Sequence, residues 1–284
     1  MIIGLVGLGL IGGSMAKAIK ENTQHSILGY DIKLSEIYAA KLVGSIDGEL
    51  DDDTIGTCDM IIVSIYPQGT IDYIKEKAEK FKKGAIVIDC GGTKAKVCEE
   101  LYPVADRNGF EFIGGHPMAG TQFSSFRYSK ATLFKGATML LAPQESTSIH
   151  TRERARDLFL ETGFGRVQFT TPQQHDRIIA YTSQLPHIIS NAYVKSPNAQ
   201  DQRGFSAGSY KDLSRVAKLN EPMWTELFLE NRENIIYEID TLIENLKQYS
   251  DAIKANDAQA LIELLRDGTQ KKEIADKRVI DNKR

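Results

Sequence analysis

The sequence predicts an α/β protein: a doubly wound, mostly parallel sheet followed by an all-helical domain. Three observations carry that expectation. Residues 1–170 alternate short apolar runs with helical segments, the rhythm of strand–helix–strand units. Several of these runs are apolar throughout, as strands covered on both faces must be. After Thr171-Pro172 no convincing strand follows, and Pro172 suits the first turn of a helix. The boundaries expected are therefore 1–170 for the α/β domain and 171–284 for the helical one.

The elements follow in order. Ile2–Val6 is a continuous apolar run and reads as the first strand. Gly7-Leu8-Gly9-Leu10-Ile11-Gly12 comes directly after it and opens a helix through Gly13–Ile19. This is GxGxxG in the context that gives it meaning. Gly7 allows a tight turn, Gly9 lets the backbone approach a pyrophosphate, and Gly12 lets helix and strand pack closely. The backbone N–H groups around Leu8, Leu10 and Ile11 then face the phosphates at a helix N-terminus. Ser26–Tyr30 reads as the second strand. Asp31 ends it about 20 residues past Gly12, where an acid accepts the ribose hydroxyls. An Asp there repels a 2′-phosphate, which favours NAD over NADP, although Lys33 lies close by. The bland alternative is an ordinary turn with an Asp at a strand end.

Further strands are expected at Met60–Ile65, Ala85–Asp89, Glu111–Gly114, Thr138–Ala142 and Arg166–Phe169. Ligands of such sheets sit beyond the carboxyl ends of the strands. Three segments fall there: Ser64-Ile65-Tyr66-Pro67, Asp89-Cys90-Gly91-Gly92-Thr93-Lys94, and the stretch GGHPMAGT from Gly114 to Thr121. Ser64 joins the expected cofactor-binding set. In the second half, Leu227, Phe228, Ile235, Ile239, Leu242 and Leu246 recur at helical spacing, and Ala252–Leu265 reads as a helix.

The chain has 284 residues, 42% hydrophobic and 26% charged, with a formal net charge of −3. That balance offers no basic footprint for nucleic acid. No apolar run approaches the roughly 20 residues that span a bilayer, and no leader precedes the first strand. Cys58, Cys90 and Cys98 are odd in number and fit no CxxC pattern, so reduced thiols in the cytoplasm are expected.

His116 stands between two glycines and a proline at the nicotinamide edge. It is either a turn cap or a general base. A neutral imidazole that takes the proton of a substrate hydroxyl contributes roughly 10² to 10⁴ in rate, and the ordinary histidine pKa suits the task. In the helical half, His187 follows Gln184-Leu185-Pro186, and Lys211 and Arg215 lie in Tyr210–Arg215. On residue type alone, a hydrogen-bonded structural histidine and two solvated cations are the commoner explanation, with ligand binding the alternative. A cleft between two domains is nonetheless a usual place for a small ligand, and arginine grips carboxylates in two-pronged fashion.

Together these stretches resemble the prephenate dehydrogenases of tyrosine biosynthesis and the related arogenate dehydrogenases. The similar segments are GLGLIGGS (7–14), GGHPMAGT (114–121), SQLPH (183–187), YKDLSRVA (210–217) and EPMWTELFLENRENI (221–235), in the family's order. The resemblance implies a Rossmann-type domain and a helical dimerisation domain, hence a homodimer. It implies NAD-dependent oxidative decarboxylation of prephenate to 4-hydroxyphenylpyruvate, with neither a metal nor a covalent intermediate. His116 matches the catalytic histidine, which hydrogen-bonds the ring 4-hydroxyl as hydride leaves C4. His187 and Arg215 match the substrate-binding histidine and arginine; Lys211 adds positive charge, and Thr121, closing GGHPMAGT, is grouped with them. Prephenate carries two carboxylates, and each hydrogen bond to a charged group contributes roughly 1.5–3 kcal/mol.

Two departures stand out. The family often has a serine in D-x-G-S after the fifth strand, where this chain reads Asp89-Cys90-Gly91-Gly92; Thr93 is the expected source of the missing hydroxyl. Many relatives have a histidine where this chain has Gln184, and glutamine does not titrate. No added regulatory domain or fused mutase segment is recognisable, so any feedback by tyrosine would have to act at or near the active site. The rival readings are an arogenate dehydrogenase, a hydroxyacid dehydrogenase recruiting Lys195 or Lys211, and a non-enzymatic NAD sensor. The last leaves His116, His187 and Arg215 without a purpose.

Overall fold

The computed structural model describes residues 1–121 and 123–281. Eight strands form one sheet: β1 (Ile2–Val6), β2 (Ser26–Tyr30), β3 (Gly48–Glu49), β4 (Met60–Val63), β5 (Ile86–Asp89), β6 (Glu111–Pro117), β7 (Thr138–Pro143) and β8 (Arg166–Phe169). Their order is β3-β2-β1-β4-β5-β6-β7-β8. Every pairing is parallel except β6 with β7. The order reverses between β1 and β4, and such switch points open a crevice for ligands.

The apolar strands are fully buried because alternate side chains feed two separate cores. Ile3, Leu5, Met60, Ile62, Ile86, Ile88, Met139 and Leu141 point to one face. There they meet Met15 and Ile19 of helix α1 (Leu10–Asn22), Ile37 of α2 (Leu34–Leu42) and Leu158 and Phe159 of α5 (Ile149–Glu161). Val6, Ile61, Val63, Val87 and Phe112 point the other way. They pack on Ile71 and Ile74 of α3 (Pro67–Lys77) and on Val97, Leu101 and Val104 of α4 (Ala95–Asn108). Burying a side chain of this kind contributes roughly 1.5–3 kcal/mol, so the sheet is a rigid platform.

Past β8 the described chain is helical: α6 (Pro172–Ile179), a π-helical turn at Ala180–Gln184, α7 (Leu185–Tyr193), α8 (Gly208–Ser214), α9 (Glu221–Glu230), α10 (Arg232–Lys254) and α11 (Ala258–Asp281). By its contacts the chain divides into two compact units, Met1–Arg232 and Glu233 onward. Helices α6 to α9 thus pack into the same unit as the sheet. Within the second unit, the Tyr249 hydroxyl donates to the Leu264 carbonyl at 3.3 Å, and Ile243, Leu246, Ile253, Ile262 and Leu265 are exposed.

Three elements differ from expectation. The two-residue β3 is too short to carry a pattern. The helix expected over Ala252–Leu265 is broken at Asn256, whose φ of 51° ends α10, while Asp257 accepts from Ala260 N at 3.0 Å and starts α11. Strand β6 runs through His116 to Pro117, past the expected end at Gly114. Its glycines serve close packing rather than turning. A Cβ on Gly115 would lie 2.3 Å from the Asp89 carbonyl oxygen, and one on Gly114 would lie 2.6 Å from Cys98 Sγ.

Candidate active site

The glycine turn lies at the switch point. Gly7 has φ +82°, and a Cβ there would stand 2.7 Å from the Ser64 carbonyl oxygen. A Cβ on Gly12 would stand 1.8 Å from the Gly7 carbonyl oxygen, so only glycine fits. Gly9 is different: its Cβ position has nothing within 4 Å, which leaves open space over the turn. Helix α1 starts there at Leu10 and Ile11 with no side-chain cap at Gly9, so its first N–H groups remain available to an anion. Asp31 accepts from Leu8 N at 2.7 Å and from Lys33 N at 2.9 Å. Its carboxylate thereby locks the turn to the end of β2 and keeps lone pairs for hydroxyls. Ser64, at the end of β4, has a buried Oγ without a hydrogen-bond partner among the described residues. A turn open above Gly9, an uncapped helix start, an acid after β2 and an orphaned hydroxyl fit a dinucleotide.

His116 is on β6, paired across to Leu140 of β7. Its Nδ1 lies 2.9 Å from Nε2 of His175, in α6. His175 is buried, and its Nδ1 lies 2.7 Å from Asp176 Oδ1. Asp176 in turn accepts from Lys94 N and Ala95 N, each at 2.8 Å, at the start of α4. Beneath them runs a buried ion pair, Lys94 Nζ with Asp89 Oδ2, both side chains 1% exposed. Asp89 also accepts from Gly91 N at 2.8 Å and Gly115 N at 3.0 Å. Burial holds the His116 pKa well below the ordinary 6.5, with the neighbouring His175 and the positive charge of Lys94 acting the same way. Burial also lowers the His175 pKa, against the hydrogen bond that His175 donates to Asp176. His116 is a neutral imidazole at neutral pH.

Helix α9 clamps this floor. Its Leu227 packs where a side chain at Gly92 would begin, 3.1 Å from a Cβ there. Its Glu230 accepts from the Thr93 hydroxyl at 2.6 Å and pairs with Lys96 at 3.2 Å. The Thr93 hydroxyl is therefore turned to α9, and His116 Nδ1 is held by His175. Gln184 is buried as a link: Nε2 donates to the Leu227 carbonyl at 3.2 Å, and Oε1 accepts from Asn231 Nδ2 at 2.6 Å.

His187 lies in the first turn of α7, directly after Pro186. Its Nδ1 donates to the Ser183 carbonyl at 2.7 Å, and its ring lies 4.1 Å from that of Trp224. Burial lowers its pKa; the Ser183 carbonyl opposes this and the Arg215 charge adds to it. Arg215 directly follows α8 and is exposed, as is Lys211. Asn191 of α7 donates to the Ala217 carbonyl at 3.1 Å, tying that segment to the His187 helix. Thr121 is exposed and accepts from Phe123 N at 3.2 Å. Sequence reasoning missed His175, Asp176 and the Lys94–Asp89 pair. His175-Asp176 near the start of a helix is a visible signal, but only the fold reveals that His175 is buried against His116.

The family model described as the prephenate dehydrogenase nucleotide-binding domain matches residues 15–168. The one for the prephenate dehydrogenase dimerization domain matches 171–267. The chain belongs to the prephenate dehydrogenase family. A prephenate dehydrogenase of Bacillus subtilis is 30% identical over 266 residues, 90% of this chain and 71% of that protein. A cyclohexadienyl dehydrogenase of Zymomonas mobilis is 28% identical over 96% of this chain and 95% of its own. Among solved structures, the prephenate dehydrogenase of Aquifex aeolicus in complex with hydroxyphenyl propionate and NAD+ aligns with a TM-score of 0.85 at 27% identity, covering 97% of this chain and 98% of that one.

Proposed function

We propose that this prephenate dehydrogenase family member carries out NAD-dependent oxidative decarboxylation of prephenate to 4-hydroxyphenylpyruvate. The observation that carries the reading is a neutral His116 at the carboxyl edge of the sheet that holds the dinucleotide turn. Gly7, Leu8, Gly9, Leu10, Ile11 and Gly12 cradle the pyrophosphate, Asp31 takes the ribose hydroxyls, and Ser64 offers its unpaired hydroxyl. NAD, when bound, accepts the hydride from the ring carbon that bears the hydroxyl. His116 takes the hydrogen bond from that hydroxyl at Nε2, because its Nδ1 is held by His175. It draws the proton as positive charge builds on the ring, then returns it to the oxygen. The carboxylate leaves as CO₂, its bond electrons aromatise the ring, and no net proton is released.

His187 has Nε2 left for substrate once Nδ1 is tied to Ser183. Arg215 and Lys211 supply exposed positive charge for two carboxylates, and Thr121 follows His116 by five residues. The exposed apolar residues of α10 and α11 fit pairing with a second copy of the chain, in keeping with the dimerization domain matched there. The three cysteines are free and no described helix is long and apolar enough to cross a membrane; both suit a cytoplasmic enzyme.

The relative named a cyclohexadienyl dehydrogenase, aligned over nearly its whole length, favours arogenate as the second substrate to test. Absorbance at the NADH band should rise with prephenate and NAD, and rise far less with NADP. A chain that reduces NAD with arogenate alone, or with neither compound, overturns the prephenate assignment.

A further inference from the structure

The basic groups of a dehydrogenase site are only as useful as the atoms on which their protons sit. Asp176 settles that question for this site. Its two oxygens accept from two backbone N–H groups at the first turn of α4 and from His175. With each oxygen already accepting from a backbone N–H, this carboxyl group faces His175 Nδ1 as an acceptor. His175 Nδ1 therefore carries a proton. Lys94 does not compete for Asp176, because Asp89 holds it in a buried pair. Asn231 Nδ2 donates to the Asp176 main-chain carbonyl at 2.8 Å and fixes the backbone.

The remaining assignments follow by elimination. His175 is buried and neutral, so its Nε2 presents a lone pair to His116 Nδ1 at 2.9 Å. Two lone pairs cannot face each other at that distance, so His116 Nδ1 carries the proton. The lone pair of His116 is left on Nε2, the atom that must receive a substrate hydroxyl. The opposite tautomer would turn His116 into a donor and remove the base.

We propose that His175 and Asp176 are positioning residues that hold His116 in its Nδ1–H tautomer and in one orientation. They serve where position 92 has no hydroxyl to offer: Leu227 fills the space over Gly92, and the Thr93 hydroxyl is spent on Glu230. The proposal rests on the reading of His116 as the base, and its tests separate the two.

The first test needs no substrate. The chain has five histidines, few enough to resolve by ¹⁵N spectroscopy of histidine-labelled protein, with His116→Asn assigning its signal. Near neutral pH both His116 and His175 should show a protonated Nδ1 and a bare Nε2. A protonated Nε2 on His116 overturns the proposal, even in an enzyme that oxidises prephenate.

The second test is kinetic. His175→Leu keeps the buried volume apolar but removes the acceptor; His175→Gln keeps an amide oxygen that can accept from His116 Nδ1–H. Leu should lower kcat by about 10- to 10³-fold, within the full contribution of a general base, with KM for prephenate and NAD changed by roughly twofold or less. Gln should recover most of the loss. Equal losses in the two variants, an intact kcat in the Leu variant, or a loss carried by KM would each assign His175 a merely structural role.

Discussion

The glycine turn after β1 and the cationic segment from His187 to Arg215, proposed to hold the cofactor and the substrate, are built differently. In the turn, the backbone itself is the binding group, and the sterics of Gly7 and Gly12 admit no other residue. In the cationic segment, Lys211 and Arg215 are exposed, and the proposed binding groups are side chains that any helix could display. One region is specified by close packing, the other by charge. Between them, His116 has the rigidity of the first and the side-chain chemistry of the second. Errors in the first region should therefore break the fold or the cofactor site, while errors in the second should change only substrate affinity.

The largest effect sharpens this contrast at its midpoint. His116→Asn should lower kcat by about 10² to 10⁴ while the affinity for NAD, read by fluorescence titration, stays unchanged. The wild-type profile should also show its acid limb well below pH 6.5, since burial, His175 and Lys94 all disfavour the imidazolium. Activity is thus retained as pH falls to that range, and lost only when His116 takes a proton. A variant that turns over normally removes His116 from the chemistry.

The next effect separates two glycines of one motif. Gly12→Ala puts a Cβ 1.8 Å from a backbone oxygen, and overpacking of this kind costs about 1–3 kcal/mol; the melting temperature should fall. Gly9→Ala puts its Cβ into open space, so stability should hold while NAD binding weakens. If Gly9→Ala binds NAD normally, the space above the turn is not where the pyrophosphate lies.

What could be read from sequence follows the same division. The strands, the glycine turn and Asp31 were legible because each rests on a local rule: period two, a turn geometry, an offset of about 20 residues. Strand β6 ran further than expected because its glycines read as turn formers, whereas Gly114 and Gly115 are small to let Asp89 and Cys98 approach. His175 was hidden for another reason. Its role depends on a contact with a residue 59 positions away, and no local pattern encodes that. The two-helix clamp of Thr93 by Glu230, 137 residues on, was hidden in the same way, which is why Thr93 was expected to serve His116.

The smallest effect tests the side-chain region. Arg215→Gln removes one charge-assisted contact, and because the guanidinium is exposed the expected rise in KM for prephenate is about tenfold, with kcat and stability little changed. The pH dependence adds a second reading. Burial lowers the His187 pKa and Arg215 lowers it further, so removing Arg215 lets His187 hold its proton to higher pH. A protonated His187 donates to a carboxylate from Nε2, while a neutral one cannot, since its Nδ1 proton is committed to Ser183. Loss of Arg215 is thus partly offset where His187 can charge. The ratio of variant to wild-type KM should be smaller at pH 6 than at pH 8. A ratio that is constant, or that grows on acidification, would show that His187 and Arg215 do not share a carboxylate.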